Sequence, residues 1–177
     1  MEMQSSPHVW VVHAGRRGRD ARQFEAAGIV GLALPPVEDL ATLNRSDALK
    51  AVMRALAHDK PGVLVQSGRD QSFATLLLRF VHEMEIGDRV ITADRASGEV
   101  LLGIVTGGYR LAADPPVPSY YHIRSVHWLG RMRRADLPAQ AARSIGAPSP
   151  LFRPGAEEQL RALEIWLNDR DLPSEAL

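Results

Sequence analysis

The chain has 177 residues, 45% hydrophobic and 24% charged, the balance of one globular domain, which excludes wholesale disorder. It contains no cysteine, which excludes disulfides, thiolate catalysis and Cys-ligated zinc. Formal net charge is zero, so the whole molecule exerts no pull toward nucleic acid; no apolar run approaches the ~18 residues of a membrane helix, and the N-terminal MEMQSSPH has no basic, apolar leader, so a cytoplasmic location is expected.

Residues 9–13 (VWVVH) are a short β-branched run and predict a strand. The glycine-punctuated AGRRGR at 14–19 predicts a turn, and 20–27 a short helix stopped by Gly28. Residues 29–34 (IVGLAL) predict a second strand, ended by Pro35 and Pro36. Asn44 or Ser46 can cap a helix carrying Leu49, Val52, Met53 and Leu56 at helical spacing. VLV at 63–65 can be a short strand, and QSGRDQS at 66–72 predicts a loop. Phe73, Leu76, Leu77, Phe80, Val81 and Met84 then trace the clearest helical stripe in the chain. Strands follow at 89–93, 99–109 and 120–131, with a hairpin turn at ASG and a Pro-rich surface loop at 114–118. Residues 134–144 predict a short helix, and Leu160, Leu163 and Leu167 a last one.

Three strands in succession without intervening helices predict an α+β fold: a small curved antiparallel β-barrel with helices packed outside. Residues 1–153 are assigned to this domain, and 154–177 to a C-terminal helical appendage or the start of a linker.

Catalytic signatures are missing. There is no G-x-x-x-x-G-K-[ST] phosphate loop. Ser67 in VQSGR lacks the glycine two residues earlier that a nucleophile elbow needs. The only lysines, Lys50 and Lys60, do not stand two residues after an acid, as a metal-dependent nuclease requires. His122 and His127, five apart on a strand, face opposite sides and make a poor metal pair. The expectation is a non-enzymatic domain with no cofactor and no metal.

Three features suit binding. Nearly all positive charge is arginine, in keeping with a GC-rich genome, yet it clusters: Arg16, Arg17, Arg19 and Arg22 form one knot, and Arg131, Arg133 and Arg134 a second. The planar guanidinium fork suits phosphate. In the first knot, His13 and the glycines of GRRG join a strand to a helix start, where backbone N–H groups attract anions; the alternative is an ordinary turn with solvated arginines. The second feature is the polar loop with Gln66, Ser67, Arg69 and Asp70, whose Gln, Ser and Asp groups can read base edges; the alternative is a helix cap at Asp70 or Ser72. Phe73 beside it can stack on a base, but as the first residue of the apolar stripe it is assigned to the core. The third is the strand with Tyr120, Tyr121, His122, Arg124 and Trp128, aromatics interleaved with basic residues as in base-stacking surfaces. Trp10 and Trp128 are assigned to packing, Tyr120 and His122 to exposure beside the Pro-rich loop.

An ordered set of segments resembles the PUA-like domains, related to EVE and YTH domains, found at the N-termini of Mrr-type and McrB-type restriction proteins. The set runs from WVVHAG at 10–15, with Phe24 and GIV at 28–30, through RFVHEM at 79–84 and GDRVIT at 87–92, to GIVTG at 103–107, HIRSVHWL at 122–129 and Leu151–Phe152, covering about residues 9–153. The resemblance implies a small barrel whose pocket accepts a modified base, extruded from the duplex or already single-stranded, near the 66–73 loop and the first strand–helix turn. The sequence departs from that family at Leu32 and Leu34, where it often carries an aromatic of the pocket cage, and at Leu78, the place of a second aromatic.

The combined expectation is a nucleic-acid reader of a modified base in DNA within a restriction and antiviral defence system. A nuclease or motor would be supplied by another domain or chain, and no membrane is involved. The nucleic-acid-binding set is His13, Arg16, Arg17, Arg19, Gln66, Ser67, Arg69, Tyr120 and His122. The alternative is a non-catalytic protein-interaction or small-molecule or nucleotide-sensing domain on the same fold.

Overall fold

A computed structural model of the chain describes residues 6–34, 36–37, 39–59 and 68–170. The elements run β1 (Val9–Val12), α1 (Ala21–Ala27), β2 (Ile29–Leu32), α2 (Arg45–Asp59), α3 (Gly68–His82), β3 (Arg89–Asp94), β4 (Glu99–Val105), β5 (Arg110–Leu111), β6 (His122–Arg133), α4 (Ala139–Ser144), β7 (Leu151–Phe152) and α5 (Glu157–Arg170). The strands form one curled sheet in the order β2-β6-β4-β3-β1-β7, with β5 also on β6. The fold is α+β, a half-barrel with helices against it.

The sheet is mixed, which corrects the expectation of an antiparallel one. β1 pairs with β3 in parallel, Trp10 opposite Val90 and Val11 opposite Ile91, while the other described pairs are antiparallel. Parallel pairing needs a long crossover, and α1, β2, α2 and α3 supply it. Its consequence is that β1 and β3 end side by side.

Both faces of the sheet are covered, which is why its inner strands read as unbroken apolar runs rather than as alternation. Trp10, Val12, Val90, Leu101 and Val105 face α1, α2 and α3 in one core with Phe24, Leu77 and Phe80. Val9, Val11, Ile91, Val100, Leu102 and Met132 face the opposite way and meet Ile145, Leu160 and Leu163 in a second core. The first turns of α5, expected from the sequence to be an appendage, therefore pack on the sheet.

Local chemistry sets the boundaries. Gly28 ends α1 in the left-handed conformation, its N–H bonded to Phe24 and Glu25 carbonyls. Of the two expected caps for α2 it is Asn44 that serves, its Oδ1 accepting from the Asp47 N–H at 3.0 Å. α3 starts at Gly68, so 68–72 is helix and not loop. The strand at 99–109 stops at Val105, ahead of Gly107 and Gly108. The helix expected at 134–144 divides before Pro138 into a single turn, Arg134–Asp136, and α4.

Two buried polar groups knit the core. Asp88 accepts from Trp10 Nε1 (2.8 Å), His8 N (2.9 Å) and Glu85 N (3.0 Å). Arg124 donates from Nε to Phe80 O (2.8 Å) and from Nη2 to Val81 O (2.9 Å), closing the carbonyl end of α3 with a cation. Burial lowers the Arg124 pKa while the Asp88 charge opposes that shift.

Candidate functional site

The side-by-side ends of β1 and β3 open into a cavity of about 470 Å³. His13 lines it where β1 ends, and Ala93 and Arg95 line it where β3 ends. The turn after β1 contributes Gly15, Arg16, Arg17 and Gly18. The end of β2 supplies Leu32, Ala33 and Leu34, α3 supplies Phe73 and Leu76, and Pro148, Pro150 and Tyr120 complete the wall. Most of this lining is apolar; the cationic groups stand at one side of it.

The 14–20 turn is built to hold that shape. Gly18 has φ +72°, and a Cβ there would fall on the Ala93 carbonyl oxygen, so only glycine lets the turn lie against β3. Gly15, at φ +70°, is pressed the same way against Asp20 and the Tyr120 hydroxyl. Tyr120 donates to Asp20 Oδ2 at 2.7 Å and packs edge-on against Phe24, with ring centroids 4.8 Å apart. Burial raises the Tyr120 pKa, and the bond to Asp20 and the Asp20 charge raise it further. Between the glycines, Arg17 itself adopts the left-handed region, φ 58° and ψ 23°.

Part of the expected backbone anion nest is already occupied. The N–H groups of Gly15, Gly18, Arg19 and Asp20 bond within the turn, to His13, Gly15, Arg16 and Ala14 carbonyls. Among the arginines at this end of the molecule, carboxylates hold several. Arg19 lies 3.4 Å from Asp20 and Arg22 3.6 Å from Asp94. Arg131 bridges Glu25, Asp94 (3.2 Å) and Glu99 (3.0 Å). Its guanidinium occupies the space between three acids, and its pKa is raised chiefly by the bond to Glu25. Arg16, Arg17 and Arg95 are exposed, have no carboxylate partner among the described residues, and all three line the cavity.

The structure brings His13, Arg16, Arg17 and Tyr120 of the expected set to one cavity. Arg19 is exposed beside the turn but outside the lining. Gln66 and Ser67 lie outside the described residues, as does the side chain of Arg69, whose backbone is in the first turn of α3. Two expectations are corrected. Tyr120 is buried and precedes β6, because the Pro-rich loop runs on to Tyr121; it reaches the cavity from beneath the turn. His122 is fully buried and outside the cavity lining, its ring stacked 6.0 Å from Tyr109, with Nδ1 2.9 Å from the Tyr109 hydroxyl. Burial and the Asp39 charge push Tyr109 up to about 12.

The second arginine knot is likewise tied down: Arg131 as above, Arg133 to Asp136 at 2.9 Å, and Arg134 to the Ala142 carbonyl at 2.9 Å. Conversely, two cavity residues do not stand out in the sequence: Phe73 reads as core, and Arg95 belongs to neither knot. Phe73 is half-buried, because the first half of α3 runs past the core edge to the cavity. Leu32 and Leu34 do line the cavity, whereas Leu78 lies in the first core. Among the described residues no cluster of histidines and acids fit for a metal occurs, and no helix is long and apolar enough to cross a membrane.

Residues 10–144 match the model of a family described as a domain of unknown function, DUF8426, and the chain belongs to that family. No curated protein and no solved structure matches the chain.

Proposed function

We propose that this member of the DUF8426 family is a PUA-like nucleic-acid reader whose cavity takes one unpaired base, a modified base in DNA, within a restriction or defence system. The observation that carries the reading is the coincidence of lining and charge: Arg16, Arg17 and Arg95, which have no carboxylate partner among the described residues, all border an otherwise apolar cavity. Apolar walls with Phe73 among them suit the faces of a base, and stacking on such a ring contributes about 1–3 kcal/mol. Guanidinium groups at the edge suit the phosphates on either side of it. The cavity volume lies within the range of small-ligand sites. Phe73 takes the part that the absent aromatic at Leu34 would play. Cleavage or translocation of the strand belongs to a nuclease or motor in another domain or chain.

The test is equilibrium binding of single-stranded and duplex DNA, with and without one modified base, across a salt series. The wild type is expected to prefer the modified strand, and removing one arginine–phosphate pair should flatten the log–log salt slope by about 0.7–0.9. Replacing Arg16, Arg17 and Arg95 together by Ala should weaken binding to every sequence, while Phe73→Ala should remove the preference for the modified base. Unchanged affinity in the triple variant would favour a protein-interaction domain. Equal affinity for a free mononucleotide and for a strand would favour a nucleotide sensor.

A further inference from the structure

Among the described residues, the cavity walls hold few side chains that can accept a hydrogen bond from the edge of a base. The three arginines only donate. The Tyr120 hydroxyl spends its proton on Asp20 and lies buried beneath the turn. His13 remains, and its tautomer follows from its surroundings. Its Nε2 lies 2.7 Å from the Ala147 carbonyl oxygen. A carbonyl only accepts, so Nε2 carries the proton, and in the neutral ring Nδ1 is then an acceptor. Among the described residues no donor meets Nδ1. The ring is also held in place: the backbone N–H of His13 bonds Pro150 O at 2.9 Å, and the ring face leans on Phe152 with centroids 5.7 Å apart.

We infer that His13 selects the base: with Nε2 anchored on Ala147, its Nδ1 accepts a hydrogen bond from an exocyclic amino group, so the site takes amino-bearing bases in preference to those without one. This rests on the nucleic-acid reading above and deepens it. An oxo group facing Nδ1 sets acceptor against acceptor, and a bare C–H leaves Nδ1 unpaired, so both are disfavoured.

The experiment uses the full chain and DNA strands carrying one unpaired test base: cytosine against 2-pyrimidinone and uracil, adenine against purine and hypoxanthine. An abasic strand reports the phosphate interactions alone. The wild type is expected to bind the amino-bearing member of each set about tenfold more tightly, the scale of one well-made base-edge hydrogen bond. His13→Leu should bring the ratio to within about twofold, a larger loss than any it causes on the abasic strand. His13→Asn, which keeps a donor for Ala147 and an acceptor, should restore part of the ratio. In the wild type the ¹⁵N signal of His13 Nδ1 should be that of an unprotonated nitrogen and should move when the amino-bearing strand binds. Equal binding of amino and amino-free bases by the wild type overturns the inference while leaving the reader function intact, as does a ratio that survives in His13→Leu. No binding of any strand, the abasic one included, removes the reader function and this inference with it.

Discussion

Arg131, Arg133 and Arg134 stand as close together in the chain as Arg16, Arg17 and Arg19, yet the two groups meet opposite surroundings. The strand group is neutralised or bonded inward: Arg131 lies among Glu25, Asp94 and Glu99, Arg133 on Asp136, Arg134 on a carbonyl. In the turn group only Arg19 has an acid near it, and Arg95, from another part of the chain, joins Arg16 and Arg17 beside the cavity. Clustering in sequence measures neither exposure nor free charge. What separates the groups is where acids land in the fold, and Asp94 illustrates it: it holds Arg22 and Arg131 while its neighbour Arg95 stays open.

The change expected to disturb this contrast most is Gly18→Ala. The turn that presents Arg16 and Arg17 rests on β3 through Gly18, where a Cβ would meet the Ala93 carbonyl oxygen at φ +72°. Overlap with backbone plus an unfavourable φ costs about 3 kcal/mol or more. Chemical denaturation should show that destabilisation, and nucleic-acid binding should fall with it although no charge has changed. Stability within about 0.5 kcal/mol of wild type would mean that the turn is not seated as described.

Arg131→Leu comes next. Removing the cation leaves Asp94, Glu25 and Glu99 facing one another. A fully buried pair broken in this way costs about 3–5 kcal/mol, and with Arg131 and two of its acids partly solvated about 2 kcal/mol is expected. Binding to nucleic acid, once corrected for the folded fraction, should be unchanged, the reverse of the outcome for Arg16, Arg17 and Arg95. Acid sharpens the test. Burial pushes the Asp94 carboxyl up, but bonds from Ser97, Arg131 and the Ala96 N–H outweigh it and hold the group below its ordinary 3.8. A carboxylate depressed in the folded state contributes stability above the unfolded value and loses it as pH falls through the folded one. The gap between wild type and Arg131→Leu should therefore be widest near neutrality and shrink below about pH 3.8. A gap that is constant down to acid would place the cost of the substitution elsewhere.

The same contrast shows what is legible in the sequence. Periodicity and turn chemistry locate β1, β2, β3, β4, β6, α2 and the stripe of α3, because those signals are local. The partner of a strand is not local. β1 and β3 are eighty residues apart, as Val9 opposite Arg89 shows, and nothing in VWVVH or RVIT specifies that they run in parallel. Without that pairing Arg95 cannot be placed, since only parallel strands end together and bring 93–95 to His13. Phe73 reads as core for a related reason: the stripe records which side of α3 is apolar, not where along it the core gives way to a cavity. His122 and Tyr120 differ again. A polar aromatic beside a Pro-rich loop reads as surface until its hydrogen-bond partner, Tyr109 or Asp20, is known.

The smallest expected effect concerns Arg17. An arginine at φ 58° and ψ 23° sits where L-residues other than glycine, asparagine and aspartate are uncommon, and the conformation costs about 1–2 kcal/mol. Glycine would adopt it freely, although it has more conformational entropy to lose on folding, about 0.5–1 kcal/mol. The two effects leave Arg17→Gly more stable than wild type by about 0.5 kcal/mol. A turn bounded by Gly15 and Gly18 has no folding need for a cation between them. If Arg17 is retained for a phosphate at the cavity edge, Arg17→Gly should melt slightly higher, bind DNA more weakly and show a shallower salt slope. Arg17→Ala, which removes the charge but keeps the Cβ, should bind equally weakly without the gain in stability. Weaker binding in both variants with higher stability only in the glycine one separates conformation from charge at a single position; lower stability in Arg17→Gly would show instead that the side chain supports the turn.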